Sequence, residues 1–454
     1  MKRRLTAICL TAILVISSLT ACGSSGNAGN TSNDNAESTG ASSPTQSAEG
    51  QDQEITLTIW DWDEDHLTHM TQWYHEKHPN VNFETLVVSA NDYMQKLQSA
   101  IASRSGVPDI ILSELAYRGK VFELGILEDL SLAPYNVEKD DMFEFATELG
   151  SGPNGELYGV EQQICPSGLA YRRDLALEYL GTDDPDEISA MISDWDKTFE
   201  VGRQVIEKSD GTVTIFPGMT VLFAKILIGQ NASNYIDGDH INLTQRYQEP
   251  LEIAAKFNQA GLLGTQEDGT PALNNSYSAK EVIFYPCAPW SLKWSITVND
   301  PEGSGNWGLT TAPDEGFTYG GTSVSIYSGS ENKEAAWDYI QEVYCTGDGV
   351  KEAYEKFGFM TGFKAPYEDE NSYFTTVEGQ YDEYFGGQNL ADYFINTIAI
   401  NTAGQVQTKN QANVNTALST VATQMTGDPT MTAADGLEAL KREVQILLPN
   451  AILE

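Results

Sequence analysis

A chain of 454 residues with 41% hydrophobic and 20% charged residues is too long for one ordinary core and has the composition of a globular protein in water. Its 26 basic residues face 65 acidic ones, and a net charge of −39 repels phosphate backbones and anionic lipid headgroups, which excludes nucleic acid as a partner. The same charge disfavours an anionic solute, and the sequence offers no basic cluster to offset it.

Lys2-Arg3-Arg4 followed by the apolar run Leu5 to Leu19 has the charged start and apolar middle of a secretory signal, and the run is shorter than the roughly 20 residues a spanning helix needs. Leu19-Thr20-Ala21-Cys22-Gly23 resembles a bacterial lipoprotein box. The resemblance implies that residues 1–21 leave as a signal peptide, that Cys22 carries lipid, and that the protein sits on the extracellular face of a Gram-positive cell membrane. Residues 22–53 are nearly all small or polar and cannot form a core, so they are expected to be a flexible tether. Cys165, Cys287 and Cys345 remain in the body, an odd number with no Cys-x-x-Cys spacing, and read as small buried thiols rather than a disulfide framework or a zinc site.

Ile55, Leu57 and Ile59 alternate with threonines as a strand; Leu67, Met70 and Tyr74 keep helical spacing until Pro79 stops the run. Val81 to Val87 reads as a second strand, Asn91 to Ser103 as a second helix, and Val107 to Leu112 as an apolar strand for the middle of a sheet. A short helix follows from Ala116. Strands alternating with helices predict an α/β fold in which ligands sit at the carboxyl ends of strands, which makes Trp62, Asp63, Glu114 and Tyr117 candidate site residues. Trp195 to Ile206, Asn410 to Met425 and Ala433 to Leu448 are further helices, and the chain between Gly211 and Lys280 is mixed and mostly helical.

The most informative stretch runs from Glu281 to Cys345. It contains Pro286-Cys-Ala-Pro-Trp290-Ser-Leu-Lys-Trp294, a strand at Trp307, then Tyr319-Gly320-Gly321 before another strand, and Asn332-Lys-Glu-Ala-Ala336 opening a helix with Ser330 placed to cap it. Upstream stand Leu157-Tyr-Gly-Val-Glu-Gln-Gln163 and Gly168-Leu-Ala-Tyr171-Arg-Arg-Asp-Leu. In this order these motifs resemble the carbohydrate-binding solute receptors of ABC transporters, the family that includes maltose-binding protein, over most of the chain after residue 50. Arg172 and Arg173 stand where that family has Asn and Lys, which puts the local turn in question. The resemblance implies a two-lobe α/β fold of the periplasmic-binding-protein type (type II). Its first lobe would be residues 54–160 and 314–346 and its second 161–313 and 347–454, with hinge crossings near Glu161 and Pro313 and a third after Cys345. It also implies a sugar stacked on Trp290, with Trp294, Gln163, Tyr171, Tyr319 and Gly320 beside it.

Several patterns invite other readings. Asp61-Trp62-Asp63-Glu64-Asp65 begins like a calcium loop but has His66 and Gln72 where the loop needs Gly and Glu, so these acids read as acceptors for sugar hydroxyls or as a solvated turn. His66, His69, His75 and His78 crowd the first helix without a zinc-enzyme motif and are expected to be exposed. Gly303 to Gly308 matches the dinucleotide fingerprint by letter, but no strand precedes it and no helix follows. Trp294, four residues after Trp290, fits a core position as well as a ligand platform. Neither a nucleophile elbow nor a paired-carboxylate signature supports catalysis.

The expectation is therefore a monomeric, non-enzymatic, cofactor-free receptor that closes its lobes on a mono- or oligosaccharide and delivers it to ABC permease subunits, held to the membrane by its N-terminal lipid. Another solute (a peptide, a polyol, a metal complex) is the alternative, followed by a surface glycan hydrolase or adhesin.

Overall fold

The computed structural model describes residues 54–230, 233–368 and 372–454; the expected signal segment, the lipid-bearing Cys22 and the tether to residue 53 lie outside the described residues. The first sheet has the order β2 (Val81–Val87), β1 (Ile55–Asp61), β3 (Ile110–Glu114), the strand Thr322–Ile326, and β4 (Val160–Gln163). β1 is parallel to β2 and β3, whereas Thr322–Ile326 runs antiparallel to β3 and β4. Ile110, Ile111 and Leu112 are fully buried, as a strand in mid-sheet requires. Asp109 fixes the base of the sheet: Oδ2 accepts from the Thr58 amide and hydroxyl, and Oδ1 accepts from Ser330 Oγ. That contact occupies Ser330, which takes the Asn332 amide outside the following helix, Lys333–Ile340, and so does not cap it as expected.

Helix α1 (Glu64–Lys77) starts where the Asp63 carboxylate accepts the His66 amide and ends at His78 ahead of Pro79. The four histidines are not exposed as expected. His66 is fully buried, His69 bonds Glu352 at 2.7 Å, His75 Nδ1 lies 2.7 Å from the Val81 carbonyl, and His78 stacks on Tyr74. Turning the helix's apolar face inward brings these flanking residues against neighbours. Each is then held by packing or a hydrogen bond.

The second sheet is built on β5 (Pro166–Arg172), which pairs antiparallel with Phe284–Cys287, Trp307–Thr310 and Phe317–Thr318. Every residue of β5 is buried. A second core collects Leu169 and Tyr171 with residues from the helices Trp195–Lys208, Leu243–Gln259, Gln411–Gly427 and Ala433–Leu447. Arg172, in the position that put the turn in question, is nearly buried: it forks onto Asp174, donates to the Tyr277 carbonyl and lies over Trp307. Its donors tie the end of β5 to Asp174 and to the Tyr277 carbonyl, with no side-chain cap on the helix that follows. Cys165, Cys287 and Cys345 are free and buried.

The chain passes from the first sheet to the second at Ile164–Cys165, just after the expected point. It returns at Tyr319–Gly321, later than the expected Pro313, because Phe317–Thr318 still pairs with β5. The helix Asp348–Phe357, assigned by the sequence to the second lobe, packs against α1 and belongs with the first sheet. A later segment, residues 403–409, runs back along the first body. The Gly404 amide donates to Glu148, and Lys409 meets Glu123 through both its amide and its ammonium group. The Thr408 backbone lies against Gly119 in the short helix Arg118–Phe122 so closely that a Cβ there would sit 2.1 Å from the Thr408 carbonyl oxygen.

Candidate functional site

Two cavities open between the sheet bodies, and Trp290 lines both. Pro289 opens a short helix at the position where its missing N–H costs nothing, and Ser291 Oγ reaches back to accept the Ala288 amide at 2.9 Å. That geometry holds Trp290 on the second body's inner rim. Its Nε1 donates to the Tyr319 carbonyl at 2.7 Å, with the two rings 4.8 Å apart. Gly320 makes this approach possible: φ is +76°, and a Cβ would lie 2.9 Å from Trp290 Nε1.

The larger cavity, ≈ 560 Å³, lies between the first turn of α1 and the helix bearing the tryptophans. Asp63, Glu64, Asp65 and His69 line one side; Trp290, Lys293 and Trp294 line the other, and Gln163 stands beside the crossing. Asp63 spends one carboxylate oxygen on capping α1, which leaves the second for a guest. Trp294 is 56% exposed with Lys293 Nζ 4.4 Å from its ring centre, which rules out the core position. Phe357 and Phe359 add apolar wall.

The smaller cavity, ≈ 340 Å³, is walled by Glu114, Tyr319, Gly320 and the Lys225–Asp268 ion pair (3.0 Å), and by Gln405, Gln407 and Gln411 from the returning segment. Burial pushes the Glu114 carboxyl above its ordinary range, although the Ala116 amide (2.7 Å), Arg118 and Lys225 pull the other way. An acid whose folded pKa is raised gives its full stability contribution below the unfolded pKa and loses it as pH climbs through the folded value. Glu114→Gln is therefore expected to unfold at a higher temperature than the parent at about pH 7 and to converge with it at about pH 4, as read by thermal melts at both pH values.

Beneath the crossings lies a fully buried ion pair. Arg118 forks onto Glu161 at 2.8 and 3.1 Å and also donates to the Ser113 and Leu149 carbonyls. Burial pushes the Glu161 carboxyl up, and the guanidinium opposes that push. Gly321, at φ +125°, rests on the pair, since a Cβ there would be 3.0 Å from Glu161 Oε2.

Of the expected site residues, Asp63, Gln163, Trp290 and Trp294 meet in the larger cavity and Glu114, Trp290, Tyr319 and Gly320 in the smaller. Trp62 and Tyr117 are on neither wall: both pack against Tyr93, whose ring centre is 5.6 Å from Trp62 and 6.3 Å from Tyr117. Tyr171 is 0% exposed and gives its hydroxyl to the Asp183 carbonyl, so it belongs to the second core. The lysines 225, 293 and 356 and the glutamines of residues 405–411 were missed. The amide-rich run from Gln405 to Asn415 was their one visible signal.

The family described as bacterial extracellular solute-binding protein matches residues 69–374, more than half the chain. The chain belongs to that family. This solute-binding protein is 24% identical over 369 residues to the lactose-binding protein of Rhizobium radiobacter, an alignment covering 76% of this chain and 83% of that one. It is 23% identical over 312 residues to the arabinooligosaccharide-binding protein of Halalkalibacterium halodurans, covering 65% and 66%. Among solved structures, an extracellular solute-binding protein of family 1 matches with a TM-score of 0.77 at 19% identity, over 87% of this chain and all of that one. The sugar-binding protein MalE of Xanthomonas citri matches with a TM-score of 0.71 at 16% identity, over 87% and 98%. The two-lobe α/β fold of the solute-binding protein agrees with the sequence expectation, and its family is one of extracytoplasmic binding proteins.

Proposed function

We propose that this protein captures a neutral saccharide between its lobes and delivers it to the permease of an ABC transporter, tethered to the outer membrane face by lipid on Cys22. The observation that carries the reading is the chemistry around Trp290. A pyranose or furanose ring offers a face of C–H groups and a rim of hydroxyls, and two indoles with carboxylates, lysines and carboxamides on the facing walls complement both. The relatives named for lactose and for arabinooligosaccharides support the ligand class. Closure would pivot on the crossings at 164–165 and 319–321, with Asp63 and Glu114 approaching from one lobe and Trp290 and Trp294 from the other.

A thermal-shift panel of neutral mono- and oligosaccharides, uronic acids, dipeptides and polyols tests the proposal. A neutral saccharide is expected to raise the melting midpoint, because only a ligand that binds the folded state does so. A shift with dipeptides or polyols and none with sugars refutes it.

A further inference from the structure

The carboxylate of Asp61 is fully buried at the end of β1 and lines neither cavity, yet four groups converge on it. Oδ1 accepts the amides of Trp62 at 2.6 Å and Asp63 at 3.0 Å, which closes the turn that presents Asp63 to the larger cavity. Oδ2 accepts Gln162 Nε2 at 2.9 Å and lies 3.4 Å from His66 Nδ1. Gln162 is on the last strand before the first crossing, next to Gln163 on the cavity wall. His66 is fully buried and stacks on Phe359, another wall residue, at 4.8 Å. A single side chain thus joins the turn carrying Asp63, the strand carrying Gln163 and the ring beneath Phe359.

We infer that Asp61 is a positioning residue that sets the first lobe's half of the larger cavity as one unit, holding Asp63 and Gln163 in register without touching the ligand. The inference deepens the saccharide reading and rests on it for what the cavity holds. A buried carboxylate with four polar neighbours in fixed directions resists displacement, because moving any one of them leaves a desolvated charge short of a partner. The turn cannot shift relative to the hinge strand unless that network breaks.

Two variants separate this role from general stability. Gln162→Leu removes the hydrogen bond from the hinge strand to Oδ2, keeps His66 beside that oxygen and leaves both Oδ1 bonds possible. Asp61→Asn keeps an acceptor for the two amides and, with the Gln162 carboxamide turned over, the bond to the hinge strand. In hydrogen–deuterium exchange of ligand-free protein, the Trp62 and Asp63 amides of Gln162→Leu are expected to exchange at least about tenfold faster than in the parent, with Leu57 and Ile59 unchanged and Asp61→Asn close to the parent. Titrated with lactose and with arabinotriose, Gln162→Leu should bind whichever the parent binds about tenfold more weakly. Unchanged exchange at Trp62 and Asp63, or equal acceleration along all of β1, overturns the positioning role. A parent protein that binds neither sugar counts against the saccharide reading and leaves the exchange result to decide this one.

Discussion

Trp290→Ala is expected to weaken saccharide binding about a hundredfold, or about 3 kcal/mol, while leaving the melting temperature of the unliganded protein within a few degrees of the parent. The ring is partly exposed and makes one side-chain hydrogen bond, to the Tyr319 carbonyl, so its loss removes little from the fold. It removes much from the site, since Trp290 lines both cavities. Trp290→Phe keeps a flat apolar face without the Nε1 donor and should recover part of the affinity. Isothermal titration with the saccharide found in the panel checks both variants. A dissociation constant for Trp290→Ala within about threefold of the parent means that the ligand sits elsewhere.

Breaking the buried pair below the crossings has the largest expected effect on folding. Glu161→Leu leaves the Arg118 guanidinium desolvated with only carbonyl partners and should cost about 3–5 kcal/mol, read as a lowered denaturation midpoint. Arg118→Met in the same chain should recover most of that loss, because two apolar groups of similar volume leave no unpaired charge behind. Recovery of nothing means that the loss comes from packing around Gly321 rather than from the stranded charge. Such a pair adds little net stability over apolar substitutes, but its forked geometry gives the two neighbouring crossings one fixed base.

What the sequence announced and what it hid follow from the same physics. The resemblance pointed to Trp290 and Gly320, and the backbone explains their place on the cavity walls: Pro-Trp starts a helix at a set place, and Gly-Gly admits a ring against the chain. Tyr171 was misread because β5 is buried on both faces, and a strand with no solvent side carries no alternation to tell cleft from core. The helix Asp348–Phe357 has a clear apolar stripe, but a stripe says only that something covers it, and α1 of the first body was as good a partner as any in the second. The resemblance put the crossing near Pro313, and the sequence pattern did not correct it, because the two residues of Phe317–Thr318 are too few for periodicity to register as a strand. The returning segment escaped for a related reason: Gln405 and Gln407 look like any solvated loop until Gly119 opens a seat for the backbone beside them.

The hydrogen bond from Trp290 to Tyr319 has one more consequence. A free indole on a rim samples several rotamers, and a guest that stacks on it must freeze them, at a cost of about 1 kcal/mol. Here the ring is already pinned by its Nε1 to the Tyr319 carbonyl, on the segment that links the two sheets. In the proposed capture, the ordering cost would therefore fall on the guest and not on the ring that receives it.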